Sequence, residues 1–268
     1  MPTKKPNELK KSESLPDLYA AAPDDIQDDL DADSYAVPRL ALIEKMSPQV
    51  DEAEAEFMPD AKPGMIFNSV TNQLFPADTG LLVIPCFRQR VYVEWVPRSA
   101  GGGFVAVHDK VRGAELMLTT VRDADNNDVL PNGNELMDTF EFYVLAADPN
   151  TLDWEPAVIS MSRTRAKEAK AWNYRINNRR INKVKVKPQA QVFEMLSAVR
   201  KGDQGNSYVW KAGDSVLVDV IEKDDPAALF RMAVDFGKAV SSGQRGTNYA
   251  EDGEAETDGV IEGDHEAF

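Results

Sequence analysis

This sequence predicts a mostly-β fold, a barrel or a sandwich with one or two helices, set between two disordered acidic tails. Many short stretches through the middle of the chain alternate apolar with polar residues, the period of a half-buried strand. Only two stretches keep helical spacing. The ends are acidic and poor in apolar residues: residues 1–38 carry four Lys against nine Asp and Glu, and residues 246–268 carry eight acids and no Lys or Arg. These ends hold −5 and −8 of the net −15, which leaves the body at −2.

The N-terminal extension, 1–37, includes PDDIQDDLDAD and offers too little apolar surface to offset the entropy of ordering. One domain is expected over 38–240. VPRLALIEKMSP anchors it through Leu40, Leu42 and Met46, and Val70–Leu74 reads as a hairpin turning near Asn72. The strongest strand is LLVIPCFRQRVYVEWVPR, with a bulge or edge expected at Pro85 because proline cannot donate to a ladder. Alternation places Phe87, Val91, Val93 and Trp95 on a core face, and Arg88, Arg90, Tyr92 and Glu94 on the other. After Ser99–Gly103 turns the chain, FVAVH is the hairpin partner. ELMLTTVRD, DTFEFYVLAAD and AVISM read as strands. Ser162 is placed to cap a helix over 163–178 whose stripe Ala169, Trp172 and Ile176 makes Trp172 a core residue. Lys183, Lys185 and Lys187 alternate with Val184 and Val186 as a strand; QVFEMLSAVRKG, NSYVWKAG and SVLVDVIEK follow as strands. PAALFRMAVDFGKAVSSG closes the domain as an amphipathic helix with Leu229, Ala233 and Phe236 inward. Residues 241–268 are the acidic tail.

The function-bearing stretch is Ser160–Lys187. It gathers Arg163, Arg165, Lys167, Lys170, Arg175, Arg179, Arg180, Lys183, Lys185 and Lys187 against one acid, Glu168. Ten like charges repel one another, so their concentration points to an anionic partner. Trp172 and Tyr174 lie among them, and cations interleaved with aromatics suit a single-stranded nucleic acid. The strand face with Arg88, Arg90 and Tyr92 extends this surface, Tyr92 being the expected stacking residue, and Arg98 follows at the strand's end.

Other chemistry lacks material. His108 and His265 are the only histidines, and Cys86 is the only cysteine, which fits a buried small apolar residue in a reducing, cytoplasmic setting. Gly101–Gly103 lacks the lysine and hydroxyl of a phosphate loop. Asp123, Asp125 and Asn127 have calcium-loop spacing, but Asp128 and Asn134 stand where glycine and glutamate are needed. No cofactor, metal, enzyme activity or membrane segment is expected, and the N-terminus lacks the apolar core of a signal peptide.

The end of the chain, GDHEAF, resembles the C-termini of bacterial and phage single-stranded DNA-binding proteins, whose acidic tails end in an aromatic residue. The body is similar to phage proteins of this class in PRLALIEKMSP, the PGMIFNS turn, the VYVEWVPRSAGGGFVA hairpin and the SRTRAKEAKAWN helix. The acidic N-terminal extension departs from that pattern. The resemblance implies an OB-fold-like barrel that binds single-stranded DNA without strong sequence preference in phage replication, recombination or repair, inside the host cytoplasm. It also implies a tail that competes with DNA and recruits replication or recombination proteins through Asp264, Glu266 and Phe268. Homo-oligomers are compatible with this class. Two other classes fit the charge pattern: a phage structural or assembly protein with partner-binding acidic tails, and an inhibitor of a host nucleic-acid enzyme whose N-terminus imitates DNA.

Overall fold

The computed structural model describes residues 37–202, 205–244 and 249. The expected N-terminal extension up to residue 36, and the expected tail beyond Gln244 apart from Tyr249, lie outside the described residues.

Strands β1 (Leu40–Leu42), β2 (Ile66–Asn68) and β3 (Leu74–Phe75) form a small antiparallel sheet. The turn expected near Asn72 is there: Asn72 has φ 55°, and Asn68 Oδ1 accepts from the amides of Val70 and Thr71. The main sheet is built on β4 (Leu81–Trp95), whose register shifts between Pro85 and Phe87, the bulge that Pro85 led us to expect. Strand β8 (Glu135–Ala147) pairs with β4 along its length, and β9 (Glu155–Ser162) pairs with β8. On the other side of β4, β12 (Gln191–Gly202) pairs its first residues and β5 (Phe104–His108) its last; β13 (Gly205–Leu217) pairs with β12.

The spatial order is therefore β9-β8-β4-β12-β13, all antiparallel. Apart from shorter strands between them, β4, β8 and β9 neighbour one another and β12 returns beside β4, the order of a Greek key; with β13 the five strands curl into a partly open, OB-fold-like barrel. Among the described residues no ladder joins β9 to β13. The chain around β1 fills that seam: the Val158 amide donates to the Pro38 carbonyl, and the Glu44 carboxylate accepts from the Tyr208 amide.

Alternation puts Val83, Phe142, Val144, Ile159, Phe193 and Trp210 in one buried cluster inside the curl. Helix α2 (Ala166–Asn178) closes it with the expected stripe Ala169, Trp172 and Ile176, Trp172 stacking on Phe142 at 4.3 Å. The opposite face of β4 and β8 is covered by α4 (Pro226–Ser241), which buries Leu229, Ala233 and Phe236 against Cys86, Tyr143 and Leu145. Asp225 caps α4 through the Ala228 amide, and Pro226 occupies the first helical position, where a missing N–H costs nothing. Gly237 lets the helix reach the β4 bulge: a Cβ there would stand 2.6 Å from the Cys86 carbonyl oxygen.

Four helices are described, more than the one or two expected. ELMLTTVRD is not a strand: it divides between helix α1 (Lys110–Met117), started by Asp109 accepting from the Val111 and Arg112 amides, and the short β6 (Val121–Arg122), which pairs with β7 (Asp128–Val129). SVLVDVIEK ends in a single turn, α3 (Val218–Ile221). The lysine strand over 183–187 is instead a hairpin, β10 (Arg180–Ile181) and β11 (Val184–Lys185), turned by Asn182 and Lys183 at φ 50° and 69°. Positive φ at two central residues matches the twist of a tight hairpin. Ser162 makes no side-chain cap; a 3-10 turn, Arg163–Arg165, precedes α2. Tyr249, expected in the tail, is packed against the body. No helix among the described residues is long and apolar enough to cross a membrane.

Candidate nucleic-acid interface

Between α2 and the start of α1, β4 floors a cleft of about 800 Å³. Arg88, Arg90 and Phe140 line it from the sheet, Asn173 and Asn177 from α2, and Asp109 and Lys110 from the start of α1. Arg88 donates to Asn173 Oδ1 at 2.7 Å and Asn177 Oδ1 at 3.4 Å, and burial pulls its guanidinium below the ordinary range. A charged group ordered by neutral amides keeps its charge for a ligand. Arg90 differs. It forms a fork with Asp138, both bonds 2.6 Å, which answers much of its charge inside the protein. Its guanidinium still lies 5.6 Å from the Phe140 ring centroid, and Lys170 Nζ lies 6.0 Å from the same ring. A half-buried ring between cations is the arrangement that stacks a base and holds its phosphate.

The ten cations of the 160–187 stretch separate into two groups. Arg165 is 2% exposed and ion-paired with Glu44 at 2.8 Å, so its expected DNA contact is corrected: it is a strut of the barrel seam. Arg163 pairs with Glu135 at 2.5 Å, and Arg175 donates to the carbonyls of Ala212 and Gly213. The other seven, Lys167, Lys170, Arg179, Arg180, Lys183, Lys185 and Lys187, form no ion pair among the described residues. Six are exposed; Arg179 is half-buried, with a buried Nε that has no hydrogen-bond partner among the described residues. Tyr174, on the outer face of α2, is 70% exposed.

Tyr92 is the main correction. It is 3% exposed, packed with Leu130 and Leu136 under α1, and cannot present its ring to a base. Strand parity placed it correctly opposite the apolar set; the unforeseen α1 covers that face, with Gly113 against the ring. Arg98 is exposed in the turn between β4 and β5, outside the cleft lining. Asp264, Glu266 and Phe268 lie outside the described residues. Sequence reasoning missed Phe140, Asn173, Asn177 and Lys110. Phe140 becomes visible only through register, since it stands directly across from Arg90. The two asparagines are four apart on α2, a spacing that could have paired them.

The fold and this surface describe a curled β-barrel with a cationic, aromatic-bearing cleft at its helix-capped end. The chain belongs to the family of Pam3 phage gp34-like proteins, whose family profile matches residues 10–246, and this places it among bacteriophage proteins. No curated protein and no solved structure matches it.

Proposed function

We propose that this protein binds single-stranded DNA, with little sequence preference, during phage replication or recombination, acting as a binding protein and not as an enzyme. The observation that supports this is a set of seven cations on and after α2 that form no ion pair among the described residues, beside a cleft where Phe140 lies between Arg90 and Lys170. Backbone contacts give affinity without sequence reading, and the half-buried aromatic adds stacking that any base can use.

The test is a titration of labelled oligothymidine at several salt concentrations. If about six cations meet phosphates, log K falls with log salt at a slope of roughly −4. Replacing Arg179, Arg180 and Lys183 by Glu weakens binding severely and flattens the slope, whereas an unchanged slope places the groove elsewhere. Absence of binding at low salt rejects the reading and leaves the two protein-binding classes.

A further inference from the structure

Tyr249 stands beyond the end of α4, yet it is 6% exposed. Its ring lies nearly parallel to Phe104, 5.8 Å between centroids and 12° between planes, and edge-on to Trp95 at 6.2 Å. The Arg39 guanidinium lies 4.7 Å from the ring centroid, itself held by Ser160 Oγ at 2.5 Å. The Tyr249 hydroxyl donates to Glu141 Oε1. Glu141 is 1% exposed, and its other oxygen accepts from Gln89 at 2.7 Å and from the Tyr143 hydroxyl at 3.2 Å. All these partners belong to the body; Trp95, Glu141 and Tyr143 lie on β4 and β8, on the face that alternation sets opposite Arg90 and Phe140. Burial, and then the Glu141 charge, push the Tyr249 hydroxyl far above its ordinary range, so it remains a donor.

The body thus supplies a flat aromatic wall, a cation for the π-face and a buried carboxylate that needs an in-plane donor. Those are the requirements of a planar ring bearing an N–H on its edge. Phenol meets them here, and so does a nucleobase: cytosine, adenine and guanine offer exocyclic amines, and thymine offers its ring N–H. We infer that Tyr249 occupies a nucleobase pocket formed by Phe104, Trp95, Arg39 and Glu141, and that single-stranded DNA and Tyr249 compete for it. The inference rests on the DNA-binding reading and adds a second contact point to it.

The test uses the full chain. Tyr249→Ala empties the pocket and binds oligothymidine roughly 10-fold more tightly than the native protein, as expected when a self-occupied site is released. Tyr249→Phe, which keeps the ring but not the donor, gives a smaller gain. Adding Phe104→Ala to Tyr249→Ala removes the gain. A chain with 3-fluorotyrosine at position 249 keeps the pocket intact and decides the question if the alanine variant folds poorly: its fluorine resonance moves to the solvent-exposed position as oligothymidine is added. If the native protein binds DNA while Tyr249→Ala changes nothing and the resonance stays still, the pocket is overturned and the cleft stands. If no variant binds DNA, both fall together.

Discussion

Arg165 and Glu44 are both nearly inaccessible and ion-paired at 2.8 Å, so the pair is a liability as soon as one member is lost. Removing one partner of such a pair strands a buried charge, and Arg165→Ala is expected to lower stability by about 3–5 kcal/mol. Urea titration measures this, and DNA affinity per folded molecule should stay unchanged; a loss of affinity larger than the loss of folded protein would return Arg165 to the interface. Glu94 gives a pH dependence. Burial pushes its carboxyl upward, but hydrogen bonds from Asn134, Asn132 and His108 outweigh that and hold it below the ordinary carboxylate range. A pKa lowered by folding contributes stability above the unfolded value, and the contribution is lost as pH falls through the folded value. Glu94→Gln should therefore flatten the acid limb of a stability–pH curve measured through the carboxylate range, while leaving its alkaline limb as it was. None of these roles shows in the sequence. Arg165 sits among nine other cations that look alike, and its partner lies 121 positions away.

Elements were legible where one physical rule dominated. Strand β4 announces itself by length, alternation and Pro85; α2 and α4 by stripes that the fold buries as expected. Helix α1 was not legible because its apolar residues are few and scattered, with Val111 71% exposed and only Leu116 and Met117 turned toward the sheet. Asp109 was the one available signal, an N-cap of ordinary kind. Missing α1 carried a further error with it, since the same helix hides Tyr92. The close fit between them makes a prediction about the element itself. A Cβ on residue 113 would stand 2.1 Å from the Tyr92 ring, so Gly113→Ala forces either α1 or the ring to move. Overpacking of this kind costs about 1–3 kcal/mol, and hydrogen exchange should speed up across α1 and the facing part of β4 while α2 stays protected. Equal exchange in the variant and the native protein would mean that α1 is loosely held to begin with.

At the scale of the whole molecule, charge is divided more sharply than structure: a body of −2 whose densest run of cations lies on and just after α2, and eight acids after Ala250. Tethered acids near a cationic surface act as an intramolecular competitor at high effective concentration. Two competitors with different physics would then work on one ligand. The acids act through a screened field, whereas the Tyr249 ring acts through contact that salt scarcely alters. Ending the chain after Ala250 separates them, because it removes all eight acids and keeps Tyr249. That truncation should tighten oligothymidine binding strongly at low salt, with the gain fading as salt rises past the physiological range. The gain from Tyr249→Ala should persist across the same range. Phe268→Ala should leave DNA affinity nearly unchanged and lose capture of replication proteins, since a terminal ring beside a carboxylate suits an apolar pocket with a cationic rim. Salt titrations of the native, truncated and Tyr249→Ala chains, with a pull-down for Phe268→Ala, measure each contribution. If truncation alters affinity at no salt concentration, the acids do not reach the DNA site, and competition, where it exists, rests on the ring alone.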